Sequence, residues 1–100
     1  MKPNEQPQPL HPGTQLTAVI RSLHCTKAEI ARSLGLSRQT LYELLNGNQA
    51  VTAAVALRIG RLTGTKPEMW LELQNAYDLV LARRQMRQAL ADVPQLRQIW

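Results

Sequence analysis

The sequence contains no phenylalanine, only two tryptophans and two tyrosines, and a single cysteine, Cys25. With aromatic residues this scarce and leucine and alanine plentiful, the composition favours helices over strands. One thiol cannot form an internal disulfide, which suits a reducing compartment. Cys25 falls in a connection between helical segments, and neither it nor His11 or His24 has partners at metal-ligand spacing, so no metal site is expected. There is no Ser/His/Asp set, no paired-carboxylate arrangement and no phosphate-binding glycine loop, so neither an enzyme nor a cofactor is expected. No apolar run approaches the length of a membrane span. The opening segment 1–10 is polar, holds three prolines and lacks the apolar centre of a secretion signal. A cytoplasmic location follows as the expectation.

A dense basic arm is also missing. Twelve Lys and Arg stand against seven Asp and Glu, a net charge of +5. Five basic and three acidic residues lie in 1–49, and seven and four in 50–100. The surplus suits a nucleic-acid partner, but its even spread does not mark where one would bind.

What is present is a succession of short amphipathic segments separated by helix signals. Pro3, Pro7, Pro9 and Pro12 make 1–12 a tail, because each removes a backbone donor and disfavours helix before it. Leu16, Val19, Ile20 and Leu23 recur at helical spacing and predict a first helix over 13–24. Thr26-Lys27-Ala28-Glu29 is a capping box, and Ile30, Ala31 and Leu34 form the buried face behind it. Gly35 suits the left-handed residue that closes that helix. Ser37 caps the next over 37–46, with Leu36 and Leu41 at the spacing of a hydrophobic staple and Leu41, Leu44 and Leu45 facing inward. Thr52 caps a fourth helix with a Val55–Ile59–Leu62 stripe, stopped by Gly64. Pro67 and Glu68 open a fifth that continues to about Leu90. The resulting expectation is an all-α, five-helix domain over 13–92 with a long last helix and a tail over 93–100.

The segment 27–46 carries the functional signal. Two short helices meet across Gly35-Leu36-Ser37, with the small residue Ala31 where they approach and apolar residues spaced to lock the pair. These are the requirements of a helix-turn-helix. Ser37, Arg38, Gln39, Thr40, Tyr42, Glu43 and Asn46 remain outside the inferred core. Arg pairs with guanine and Gln with adenine in the major groove, and Glu43 could accept from cytosine. Ser37 and the nearby amides could meet a phosphate, and Lys27 is placed for a backbone contact. A solvated helix surface is the alternative for each of these side chains.

His11-Pro12-Gly13, the helix pair, Leu45-Asn46-Gly47, Val51-Thr52, Ala56-Leu57-Arg58 and the run Pro67-Glu68-Met69-Trp70-Leu71-Glu72-Leu73-Gln74 with Tyr77-Asp78-Leu79 resemble the HigA antitoxins. These belong to the Xre-type, lambda-repressor-like helix-turn-helix group, and the resemblance covers about 11–84. It implies a homodimer that binds an operator in the major groove, represses its own operon and neutralises a HigB-like toxin, an mRNA endonuclease. Asn48-Gln49 stand where relatives often carry basic residues; Asn48 completes the candidate DNA-binding set. Ala54 stands where relatives commonly have Asp. The alternatives are a stand-alone regulator, or an interaction module that no longer binds DNA.

Trp70, Leu73 and Tyr77 read as core, and Val80 and Leu81 beyond them as a dimer interface. Arg83, Arg84 and Arg87 read as a solvated face complementing the helix dipole, with DNA backbone or an acidic partner as the alternatives. Trp100, after Leu96 and Ile99, suggests a terminus that folds back or docks.

Overall fold

The structure, a computed structural model, describes residues 10–97. Those residues form six helices and no strand: α1 Pro12–Arg21, α2 Lys27–Leu34, α3 Arg38–Leu45, α4 Ala53–Thr63, α5 Pro67–Gln85 and α6 Arg87–Ala91. The last two replace the single long helix expected from the sequence. Met86 leaves helical geometry at φ −107°, ψ 18°. No proline or glycine causes the break. From Arg83 onward every described residue is exposed, so no packing partner holds the helix in register.

The caps behave as their side chains dictate. The hydroxyls of Thr26, Ser37 and Thr52 accept from the backbone N–H three residues on, at 3.1, 3.0 and 3.3 Å. Each such cap contributes about 1 kcal/mol. The Thr26 box is closed differently from expectation, since its hydroxyl donates to Glu29 Oε1 at 3.1 Å. Gly35 takes φ +72°, a conformation a side chain would strain, and the Leu36 N–H returns to the Ala31 carbonyl.

Two boundaries of the first helix differ from expectation. Its C-terminus falls at Arg21 rather than at residue 24, because the Ser22 and Leu23 amides close tighter three-residue turns and His24 adopts φ +55°. At the other end, the 1–12 tail gives way at His11. This histidine is buried and caps α1, and Pro12 is its fully buried first residue. Residues 93–97 lie outside any helix and are exposed. Ile99 and Trp100 fall outside the described residues.

One apolar core joins the first five helices. Leu16 and Ile20 of α1, Ile30, Ala31 and Leu34 of α2, Leu41 and Leu44 of α3, Val51 before α4, Ala56 and Ile59 of α4, and Trp70 of α5 are all buried. The Trp70 indole N–H donates to Thr65 Oγ1 at 2.8 Å, so its burial leaves no polar group stranded. A Cβ at Gly13 would overlap the Leu44 carbonyl oxygen and lie 2.7 Å from that of Leu45. The start of α1 therefore presses directly on the end of α3.

Candidate nucleic-acid interface

α3 is amphipathic in the sense a reading helix requires. Leu41 and Leu44 are wholly buried, while Arg38, Gln39 and Tyr42 are exposed. Gln39, Tyr42, Glu43 and Asn46 follow at three- and four-residue spacing, which lines them along one outward stripe. Glu43 is half-buried and Asn46 exposed at the helix C-cap. Gln39 Nε2 donates to Glu43 Oε1 at 3.3 Å, a weak surface bond that a base edge could displace.

The remaining candidates divide. Lys27 begins α2, is exposed, and its ammonium lies 5.3 Å from the centre of the Tyr42 ring. That cation–π contact brings the first residue of α2 to the outward stripe of α3. Asn48 is exposed in the loop after α3. Ser37 and Thr40 are already engaged, because the Ser37 hydroxyl donates to Thr40 Oγ1 at 2.9 Å while capping the helix. What this end offers an anion is chiefly the free backbone N–H groups of the first turn, reinforced by the helix dipole. No acidic residue occupies that turn to compete.

Three supporting residues were not identified as such from the sequence. Arg58 of α4 donates to the Leu34 carbonyl at 2.9 Å, which closes the end of α2 at the turn of the motif. Gln74 of α5 is buried, and its Oε1 accepts from the Val51 N–H at 2.8 Å. His11 Nδ1 accepts from the Gly13 N–H at 2.9 Å, and its ring meets Tyr77 edge-on with centres 5.0 Å apart. The available signals were an arginine and a glutamine within otherwise apolar helix patterns, and a histidine directly before Pro-Gly.

The helix-turn-helix family model matches residues 18–70. The chain belongs to the helix-turn-helix family. Its relatives within the family include antitoxin HigA-1 of Vibrio cholerae, 39% identical over 54 residues, which is 54% of this chain and 50% of that protein. The antitoxin GraA in complex with its operator superposes with a TM-score of 0.81 at 32% identity, covering 98% of this chain and 99% of GraA. Antitoxin HigA of Pseudomonas aeruginosa with the higBA promoter gives a TM-score of 0.81 at 27% identity, over 89% of this chain and 99% of that one. This helix-turn-helix family is one of DNA-binding regulators and antitoxins, not of enzymes. No helix among the described residues is long and apolar enough to cross a membrane.

Burial holds the His11 pKa below its ordinary value, against smaller opposing contributions from the Gln49 backbone and the Asp78 carboxylate. The neutral ring is also the form whose Nδ1 can accept and cap α1. The unfolded chain therefore takes up this proton more readily. Stability from His11 is complete above the ordinary histidine pKa of about 6.5 and is lost as pH falls through the lower, folded value. Denaturant titrations from pH 7.5 to 5 should show that loss. His11→Asn, which can cap without titrating, should abolish the part of the pH dependence due to this ring.

Proposed function

We propose that this chain is the antitoxin of a type II toxin–antitoxin module. It acts in the cytoplasm as a homodimeric autorepressor that binds its operator through the major groove, and it neutralises a HigB-like mRNA endonuclease. The observation that carries this reading is the exposed polar stripe of α3, presented by a helix-turn-helix in a chain that aligns almost end to end with an operator-bound antitoxin. In this reading Arg38 and Gln39 contact base edges. Tyr42 and Asn46 extend that surface, and Ser37 and Thr40 hold the helix start against the backbone. Lys27 and Asn48 flank it toward the phosphates.

A duplex from the promoter region of the chain's own operon should bind in preference to an unrelated duplex. Arg38→Ala and Gln39→Ala should each cost about 1–3 kcal/mol on the operator and relax specificity at one position. Lys27→Ala should weaken both duplexes alike and lower the salt slope by about one. Anisotropy titrations at several salt concentrations measure all three. Unchanged operator binding in both the Arg38 and Gln39 variants would remove base reading from this end of α3.

Toxin neutralisation has its own test. Co-expression with the product of the neighbouring reading frame should restore growth that the product alone arrests. A neighbour that is harmless when expressed alone would leave a stand-alone regulator.

Dimerisation follows from the scale of recognition, since one short helix reads too few bases and paired half-sites about 34–36 Å apart are the usual remedy. Val80 and Leu81 are half-buried rather than open, and beside them Leu79, Met86 and Leu90 are about half exposed. We assign the dimer contact to Val80 and Leu81, at the end of α5 near these exposed apolar residues. Charged residues at Val80 and Leu81 should give a folded monomer that keeps weak non-specific DNA affinity and loses the operator complex. Sedimentation with circular dichroism decides this. A dimeric variant would place the interface elsewhere, and an unfolded one would place these residues in the core.

A further inference from the structure

The connection from α3 to α4 carries two of the proposed DNA-contacting side chains, Asn46 and Asn48, yet neither of its ends is secured by apolar packing alone. On one side Gln74 reaches it from the middle of α5. Its Oε1 accepts from the Val51 N–H at 2.8 Å, and its Nε2 donates to Asp78 Oδ1 at 3.0 Å. On the other side the His11 ring lies against Gly47, where an added Cβ would sit 3.4 Å from His11 Cβ and Cγ. His11 is itself fixed by the Gly13 N–H and by the edge of Tyr77. The segment 46–51 is thus gripped between the start of α1 and one face of α5.

We propose that Gln74 and His11 are positioning residues for DNA recognition, holding segment 46–51 in register with the reading face of α3. This rests on the reading of α3 as the recognition helix.

The chemistry at position 74 argues for direction rather than mere filling. Gln74 is 5% exposed on a helix face where Trp70, one turn earlier, is fully buried in the apolar core. A methionine would fill a similar volume without the desolvation cost of a buried amide. An amide accepts from a backbone N–H at one atom and donates to a carboxylate at another, which a methionine cannot do. Val51 is itself 4% exposed, so without that acceptor its N–H would be left buried and unpaired. The segment being held is uncharged at Asn46 and Asn48, so these residues would contribute to binding through hydrogen-bond geometry rather than counterion release. Misplacing them should therefore penalise the operator far more than random DNA.

The test is anisotropy of the full chain on the promoter duplex and on an unrelated duplex, with amide hydrogen exchange on the same samples. Gln74→Met should lower promoter affinity on the order of tenfold and change the unrelated duplex by less than about twofold. Its faster exchange should be confined to 46–51. The exchanged pair Gln74→Glu with Asp78→Asn keeps the acceptor for Val51 and reverses the second hydrogen bond, and it should restore promoter preference. Equal losses on both duplexes, faster exchange throughout the domain, or unaltered promoter binding by Gln74→Met would each overturn the positioning role. If Gln74→Met does not fold, the exchanged pair decides: promoter preference within about twofold of wild type upholds the role, and a tenfold fall overturns it. A wild-type chain with no promoter preference would instead sink the functional reading itself, and this role with it.

Discussion

The proposed recognition helix, α3, has eight residues, and a helix that short does not hold together in water on its own. Nearly everything else in the fold answers that constraint. Ser37 satisfies an amide at its start, Leu41 and Leu44 bury its inner face, and the bare Cα of Gly13 lets α1 close on the carbonyls at its far end. Because stability is supplied mainly from behind and from the two ends, the outward stripe carries only surface contacts, Gln39 with Glu43 and Lys27 with Tyr42. A binding surface can be chemically committed only where folding has no claim on it.

The same division explains what could be read in the sequence. Caps, left-handed glycines and apolar spacing are local, and each has a steric or hydrogen-bonding cause within a few residues. They placed α2, α3 and α4 closely. The resemblance to HigA antitoxins came from the same stretches, together with His11-Pro12-Gly13, the Pro67–Gln74 run and Tyr77-Asp78-Leu79. Non-local relations were not legible. Nothing near Gln74 in the chain indicates that it will meet Val51, 23 residues away, and nothing near Arg58 points to Leu34. His11 was assigned to a tail because three of its upstream neighbours and its next residue break or restrain helices. In the folded chain Pro12 serves as a first helical residue and His11 supplies the missing acceptor. The break at Met86 was hidden for the opposite reason: the local sequence is helix-compatible, and no proline or glycine marks the end of α5.

Polar side chains inside this small core serve orientation more than cohesion. Trp70, Gln74 and His11 each make a hydrogen bond in buried or half-buried surroundings, and no buried side-chain nitrogen or oxygen among the described residues lacks a partner. A core of leucine, isoleucine and alanine tolerates small slides between helices, whereas a directed hydrogen bond does not. In a domain of under ninety described residues, a few such bonds suffice to fix the angles at which five helices meet.

The outward residues Arg38, Gln39 and Tyr42 have no part in the apolar core, and this has an evolutionary consequence. In the proposed reading, substitutions there would change which DNA is read at little cost to the stability of the domain. Duplicated copies of such a gene in one genome could therefore diverge to separate operators by a few surface changes, each intermediate remaining folded. Insulation between paralogous circuits would then be reached along a path with no misfolded steps.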